Sequence, residues 1–276
     1  MNNVFKKYKD LHKGERVFLI ANGPSLNDTD LDLIKNETSF AMNRISLKYK
    51  DTAWRPTYYI FSSTNVRSEK PWHKEWRESV IESVEEEKTT CFIADQFRSD
   101  VDPYGIFPHI RWFRNMSEIK PKLNGDIDQR CFSTDVVERI DKTGTSMNLA
   151  LQLCYHMGFS EIILVGSDLG WTKDSGTKSD PNHFDKSYTA EISRPEKANH
   201  QMRNVHSLAY LNFKQRGDCV KIYNASNKSV LDVYPIIDYQ RFIQDDEIVI
   251  LNNKVEKARK FWNKPPQFGG YYQDGK

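Results

Sequence analysis

The sequence is poor in cysteine, in net charge and in long apolar runs, and each shortage closes off a class of function. Four cysteines, Cys91, Cys131, Cys154 and Cys219, stand scattered among 276 residues without a Cys-x-x-Cys spacing. That pattern offers neither a disulfide framework nor a zinc ribbon. Cys91 and Cys154 lie inside apolar runs and read as buried free thiols. With 40 basic against 38 acidic residues the formal net charge is only +2, so no bulk positive field argues for nucleic acid. No run approaches the roughly 20 apolar residues that span a bilayer. The opening MNNVFKKYKDLHKGE lacks the apolar centre of a secretory signal, and the chain reads as cytoplasmic. There is no internal repeat, no GxGxxG, no phosphate-loop lysine and no HExxH, so neither an NAD, an ATP-loop nor a zinc-protease reading is licensed.

What is present is enough apolar residue, 38% with 12% aromatic, for one large domain. Continuous apolar runs bounded by turns predict strands at Val17–Ala21, Thr57–Ser62 and Glu161–Gly166, with shorter ones at Phe40–Met42, Thr90–Ala94 and Val220–Tyr223. Helical patterns lie between them, at Leu31–Lys35, 72–87, 146–157 (with Gly158 as C-cap) and 196–216. Strands alternating with helices predict an α/β, Rossmann-like, mostly parallel sheet with helices on both faces. The segment 97–142 reads as irregular, and 170–195, rich in Gly, Ser, Asp and Lys, as a lid beyond the best strand. The expected boundaries are a catalytic domain over 1–245, lid included, and a basic, aromatic tail over 246–276.

Four stretches carry candidate chemistry. Asn22-Gly23-Pro24-Ser25 closes the first strand with neutral donors and acceptors and a close-approach glycine; the turn is either a nucleotide contact or an ordinary strand-to-helix turn capped by Ser25 or Asn27. Thr145 and Ser146 open an apolar helix, as an anion or sugar contact or as a plain N-cap. Asp168, in Gly166-Ser167-Asp168-Leu169-Gly170-Trp171, is placed to hold a ribose, a metal or a neighbouring backbone. His183, in Asp180-Pro181-Asn182-His183-Phe184-Asp185, and His200 downstream are candidate acid–base groups.

Together, IANGPSLNDTDLDLI, AMNR, GTSMNLALQLCYHMGFSEIILVGSDLGW and DPNHFD resemble the bacterial lipooligosaccharide sialyltransferases of glycosyltransferase family 42. They resemble equally the broader group once called domain of unknown function 115, which includes motility accessory factors and archaeal 6-hydroxymethylpterin diphosphokinases of the MptE type. The resemblance spans about residues 16–240. It implies a glycosyltransferase of surface polysaccharide, lipopolysaccharide or capsule assembly that moves a sugar from a CMP-activated donor to a glycan or lipid-linked glycan acceptor. The alternatives it carries are a diphosphotransferase using ATP and Mg²⁺ and a non-catalytic nucleotide-sugar-binding subunit. On this resemblance Asn22, Gly23, Ser25 and Asn43 line the donor site, Ser62 or Ser63 stands where the family has Asn, and Thr145 and Ser146 match its Thr-Ser pair. Gly170 and Trp171 replace a donor-binding Tyr. His200 matches the general base, leaving His183, flanked by Asp180 and Asp185, to orient the lid or neutralise a phosphate. No cofactor is required on this reading, although Mg²⁺ or Mn²⁺ could bind Asp168, Asp180 or Asp185. The tail allows peripheral attachment to the inner membrane, and the reading allows self-association as a homo-oligomer.

Overall fold

The computed structural model describes residues 1–63, 66, 70–115, 131–171, 180–188, 197–217 and 220–252. Its centre is a sheet built from β1 (Arg16–Ile20), β2 (Ser39–Met42), β3 (Tyr58–Phe61), β4 (Thr90–Ala94), β5 (Ile110–Phe113), β6 (Glu161–Val165), β7 (Lys221–Asn224), β8 (Ile236–Ile237) and β9 (Ile250–Asn252). The order is β5-β4-β3-β2-β1-β6-β7-β8-β9. Every pair is parallel except β8 with the edge strand β9. Strands 1, 2, 3, 4 and 6 are buried almost end to end, which is why they read as unbroken apolar runs rather than alternations.

Helices α1 (Pro71–Val84), α2 (Arg98–Val101), α3 (Ser146–Met157), α4 (Lys197–Gln215) and α5 (Tyr239–Asp245) complete the fold. Helix α3 packs across β1, β2 and β3 and against α4. It ends at Gly158, whose φ of +86° is a left-handed cap that costs a glycine least. Leu31–Ile34 is one turn of 3₁₀ helix, with Asp30 accepting from the Asp32 amide. Cys91, Cys131 and Cys154 are buried and free, and burial pushes the Cys91 thiol up to about 12; Cys219 lies outside the described residues. No described helix is long and apolar enough to cross a membrane.

The chain departs from its sequence reading in two places. Ile110–Phe113, inside the stretch read as irregular, is a strand. Residues 250–252, assigned to the tail, are a strand of the sheet, paired with β8 through Ile236↔Asn252 and Ile237↔Ile250. Residues 253–276 of that tail lie outside the described residues, and of the loop 170–195 only 170, 171 and 180–188 are described.

The strand order places a topological switch between β1 and β6. From β1 the chain builds outward through β5, then returns to β6 on the opposite side. The carboxyl ends of β1 and β6 therefore lead their connections to opposite sides, and a crevice opens where they part.

Candidate functional site

A cleft of about 560 Å³ lies at that switch point. Asn22, Gly23, Ser25, Asn43, Ser62, Thr145, Ser146, Asp168, Trp171 and His183 all line it. Of the residues singled out from sequence only His200 is not placed: it falls on α4, and its side chain lies outside the described residues.

The turn after β1 is held by the turn after β6. The Gly23 amide donates to the Gly166 carbonyl at 2.8 Å, and the Ser25 amide donates to Asp168 Oδ2 at 2.7 Å. Asp168 thus spends one oxygen on local backbone. Its other oxygen, Oδ1, is buried without a hydrogen-bond partner among the described residues. Burial holds the Asp168 carboxyl above the usual carboxylate range, against the pull of its Ser25 hydrogen bond. Asn22 is similar: Nδ2 donates to the Met42 carbonyl at 3.0 Å, while Oδ1 is buried and unpartnered among the described residues. Two acceptor oxygens left without donors in a cleft wall are costly unless a ligand serves them.

Strain gathers here too. Asn43 and Leu169 have φ of +55° and +58°, a region that leucine rarely enters and that costs about 1–3 kcal/mol. A Cβ on Gly23 would come within 2.4 Å of Asp168 Oδ2 and 2.6 Å of the Gly166 carbonyl. Gly23→Ala is therefore expected to force the β1 and β6 turns apart, costing about 1–3 kcal/mol. A melting temperature within a degree of wild type would contradict this.

On the opposite wall α3 begins. Thr145 Oγ1 accepts from the Met147 amide at 3.3 Å, the N-cap role, and Ser146 Oγ donates to Asn43 Oδ1 at 3.1 Å. Two amides inside α3 that the sequence reading passed over fix the loop in front of it. Asn148 Nδ2 reaches the carbonyls of Cys131 and Asp141 at 2.8 and 3.2 Å. Gln152 Nε2 donates to the Asp141 carbonyl at 2.6 Å, and its Oε1 accepts from the Ser133 and Asp141 amides. Both side chains are completely buried. A pair of amides at i, i+4 within an otherwise apolar helix was the available signal. Ser62 accepts from Asn115 Nδ2, another residue not foreseen.

The remaining walls come from loops. Lys142 and Lys228 bring positive charge; Lys228 Nζ lies 2.5 Å from Asp28 Oδ2. Ser226, Ser229 and Asn224 brace the β6 turn through the amide and carbonyl of Ser167. Asn199 holds Trp171 by both backbone groups, at 2.9 and 3.1 Å. The segment 180–188 docks on the strand ends: the Phe184 amide donates to the Asn22 carbonyl at 3.0 Å, and Asn27 Nδ2 donates to the Phe184 carbonyl at 2.8 Å. Arg44, buried beside Asn43, donates through Nη1 to the carbonyls of Ser187 and Tyr188 at 3.0 and 2.7 Å.

Within that segment His183 Nδ1 is 2.6 Å from Asp180 Oδ2, and the ring stacks on Tyr188 at 3.7 Å with the planes 11° apart. Trp171 meets it edge-on at 4.9 Å. Asp185 does not flank the imidazole as the sequence spacing implied: its Oδ1 accepts from the Ser187 amide and hydroxyl, and its Oδ2 lies 3.5 Å from Lys50. His206, two turns into α4, also lines the cleft. Burial lowers it to about 4, so it stays neutral near pH 7. Among the described residues no group of three or more His, Cys, Asp or Glu side chains could hold a metal ion.

No protein-family model matches the sequence, and a search of curated proteins returned no match. Similar solved structures include the MAf glycosyltransferase from Magnetospirillum magneticum AMB-1, at 15% identity and a TM-score of 0.47, covering 95% of this chain and 40% of that one. They also include the sialyltransferase CstII from Campylobacter jejuni in complex with cytidine-5'-monophosphate, at 14% identity and a TM-score of 0.41, covering 79% and 83%. A mammalian sialyltransferase in complex with Gal-beta-1-3GalNAc-ortho-nitrophenol is similar at 9% identity and a TM-score of 0.36, covering 76% and 69%.

Proposed function

We propose that the protein is a glycosyltransferase that moves an acidic, sialic-acid-like sugar from a CMP-activated donor to a hydroxyl of a glycan acceptor. One observation carries the reading: at the switch-point cleft the buried oxygens of Asn22 and Asp168 that have no partner among the described residues share a cavity with Lys142, Lys228 and the start of α3. Acceptors in one part of the cavity suit the hydroxyl and amino donors of a nucleoside. Lysines elsewhere suit a phosphate. The motifs that resemble the sialyltransferases lie at these same positions, which favours CMP over other nucleotides. Closing such a cleft over the donor excludes water, which competes with the acceptor for the sugar. The nucleotide is held by neutral side chains and lysines, and Mg²⁺ or Mn²⁺ is permitted rather than required.

The test is a calorimetric panel of CMP, CDP, UDP, GDP and ATP, each with and without EDTA. CMP is expected to bind tightest in both conditions. Asn22→Ala is expected to weaken it about tenfold, the worth of one buried hydrogen bond to a ligand. Failure of every nucleotide to bind, or unchanged CMP affinity in a folded Asn22→Ala protein, removes the reading.

A further inference from the structure

We propose that a second, smaller cavity beside the cleft is a binding site in its own right, a subsite for one neutral sugar unit of a glycan. Assigning that sugar to the acceptor rests on the transferase reading above; the cavity and its chemistry do not.

The cavity measures about 240 Å³, below the roughly 300–1,000 Å³ of pockets that enclose drug-sized ligands, so it suits a single ring. Its walls are the turn after β1, the loop after β7, the start of α5 and Leu251 of β9. Each wall is fixed. The Ala225 amide donates to the Leu164 carbonyl at 2.7 Å, and the Asp238 amide to the Val249 carbonyl at 3.0 Å. Tyr239 Oη donates to the Asp30 carbonyl at 2.8 Å, and Thr29 Oγ1 to the Ser25 carbonyl at 3.1 Å. Ser25 alone lines both this cavity and the switch-point cleft.

The wall carries acceptors and amides in the mixture that a sugar needs. Asp28 Oδ2 holds Lys228 Nζ at 2.5 Å, and Asp238 Oδ1 accepts from the Arg241 amide at 3.0 Å, so each carboxylate keeps its other oxygen for a ligand. Asn227 and Gln240 bring side-chain amides, which donate and accept at once. Vicinal hydroxyls do the same, and they match this set. Leu251 and Tyr239 add apolar wall for the C–H face of the ring. No Lys or Arg stands among the lining residues, and Lys228 at the rim is already paired. The two carboxylates therefore repel an acidic sugar and admit a neutral one. The shared wall supplies a separate sign of a ligand. Ser25 is 2% exposed; its hydroxyl lies near enough to the Asp168 carboxyl to help lower it, yet closes no hydrogen bond among the described residues.

A polar cavity of this size does not stay dry: it takes up water or a ligand whose hydroxyls stand where water would. Its position gives the ligand a use. Lys228 lines the cleft and Asp28 the cavity, so their ion pair is the bridge between the two. A glycan whose end unit reacts in the cleft can lay a further unit across that bridge and into the cavity.

The experiment is saturation-transfer NMR on the full chain. The probes are the methyl glycosides of galactose, glucose, mannose and N-acetylglucosamine, with N-acetylneuraminic acid and ethanolamine as counter-probes, each with and without saturating CMP. At least one neutral glycoside is expected to bind, to stay bound under CMP and to resist displacement by N-acetylneuraminic acid. Leu251→Trp, which fills the cavity from an edge strand, is expected to weaken it about tenfold or more. The double variant Asn227→Ala, Gln240→Ala is expected to do the same by removing two hydrogen-bonding side chains, and it serves if Leu251→Trp does not fold. CMP affinity is expected within about twofold of wild type in both, since neither touches the cleft. Four results overturn the proposal: no glycoside binds, CMP displaces it, both variants bind it as wild type does, or ethanolamine binds more tightly than every neutral glycoside. A protein that shows the expected glycoside pattern but binds no CMP loses the transferase reading and keeps the sugar site.

Discussion

Replacing Arg44 with alanine is expected to destabilise the protein by about 2–4 kcal/mol, as loss of a buried charged donor that leaves its neutral acceptors unserved does. Arg44 is 4% exposed, and none of its hydrogen bonds goes to a carboxylate. Its Nε donates to Ser79 Oγ at 3.1 Å, and its Nη1 to the Ser187 and Tyr188 carbonyls. Its guanidinium also lies within 6 Å of the ring centres of Trp76 and Tyr188, at 5.9 and 5.7 Å. Hydrogen bonds from a charged donor contribute about 1.5–3 kcal/mol each, and here both carbonyls belong to the segment that carries Asp180 and His183. Truncation leaves those carbonyls buried and unserved, so the segment has reason to leave the sheet. Two readouts separate local from global loss. Urea unfolding reports the whole-chain cost, while hydrogen exchange at the amides of Phe184 and Tyr188, both hydrogen-bonded in the docked segment, reports undocking. Arg44→Lys should rescue little, because an ammonium cannot reproduce the fork that spans Ser79 and two carbonyls. A cost below about 1 kcal/mol with unchanged exchange at both amides would show that the segment is held by other contacts.

Arg44 also illustrates why only part of the site was legible in the sequence. Its partners lie 143 and 144 positions away, and no local pattern announces a pairing at that distance. The same holds for Asn199 with Trp171 and Asn115 with Ser62. The residues that could be picked out, Asn22, Gly23, Asp168, Thr145 and Ser146, stand at the carboxyl ends of apolar strands or at a helix start, where turn chemistry and strand patterning fall next to each other. The fold followed the same division. Strands buried on both faces, such as Phe18–Ile20 and Ile162–Val165, betray themselves by apolar continuity. Strand β5 does not, because Arg111 and Trp112 in its middle are only half-buried. Ile250 and Leu251 are about half exposed, as an edge strand permits, so nothing in their composition tied them to the sheet. The pairing of Asp180 with His183 was hidden for another reason: the spacing put two carboxylates near the imidazole, and backbone geometry turned only one of them toward it.

The acid side of the stability curve is expected to be governed in large part by His206. Its imidazole is fully enclosed between α4 and Tyr234, with Nδ1 3.2 Å from the Tyr234 hydroxyl, and burial lowers it from 6.5 to about 4. In the unfolded chain the group takes up a proton as pH falls through 6.5, whereas the folded chain resists until about 4. Over that window the unfolded state binds more protons, so stability falls with falling pH and levels off below it. The shift corresponds to about 2–3 kcal/mol lost between about pH 7 and about pH 4.5. His156, also lowered by burial, acts in the same direction. Asp168 acts in the opposite one: its raised carboxyl costs stability while ionised, and that cost is relieved on protonation. The His206 contribution is isolated by comparing urea unfolding of wild type and His206→Asn at the two pH values, since asparagine can keep a polar atom near Tyr234 but cannot titrate. The variant should be less stable than wild type at neutral pH and should lose about 2–3 kcal/mol less on acidification. Because His206 lines the cleft beside Met202, its protonation would also place a charge in the wall where a neutral ring now sits, so CMP affinity and stability should change over the same pH interval. Parallel acid slopes in wild type and variant would mean that the imidazole gains water in the folded state and that acid sensitivity arises elsewhere.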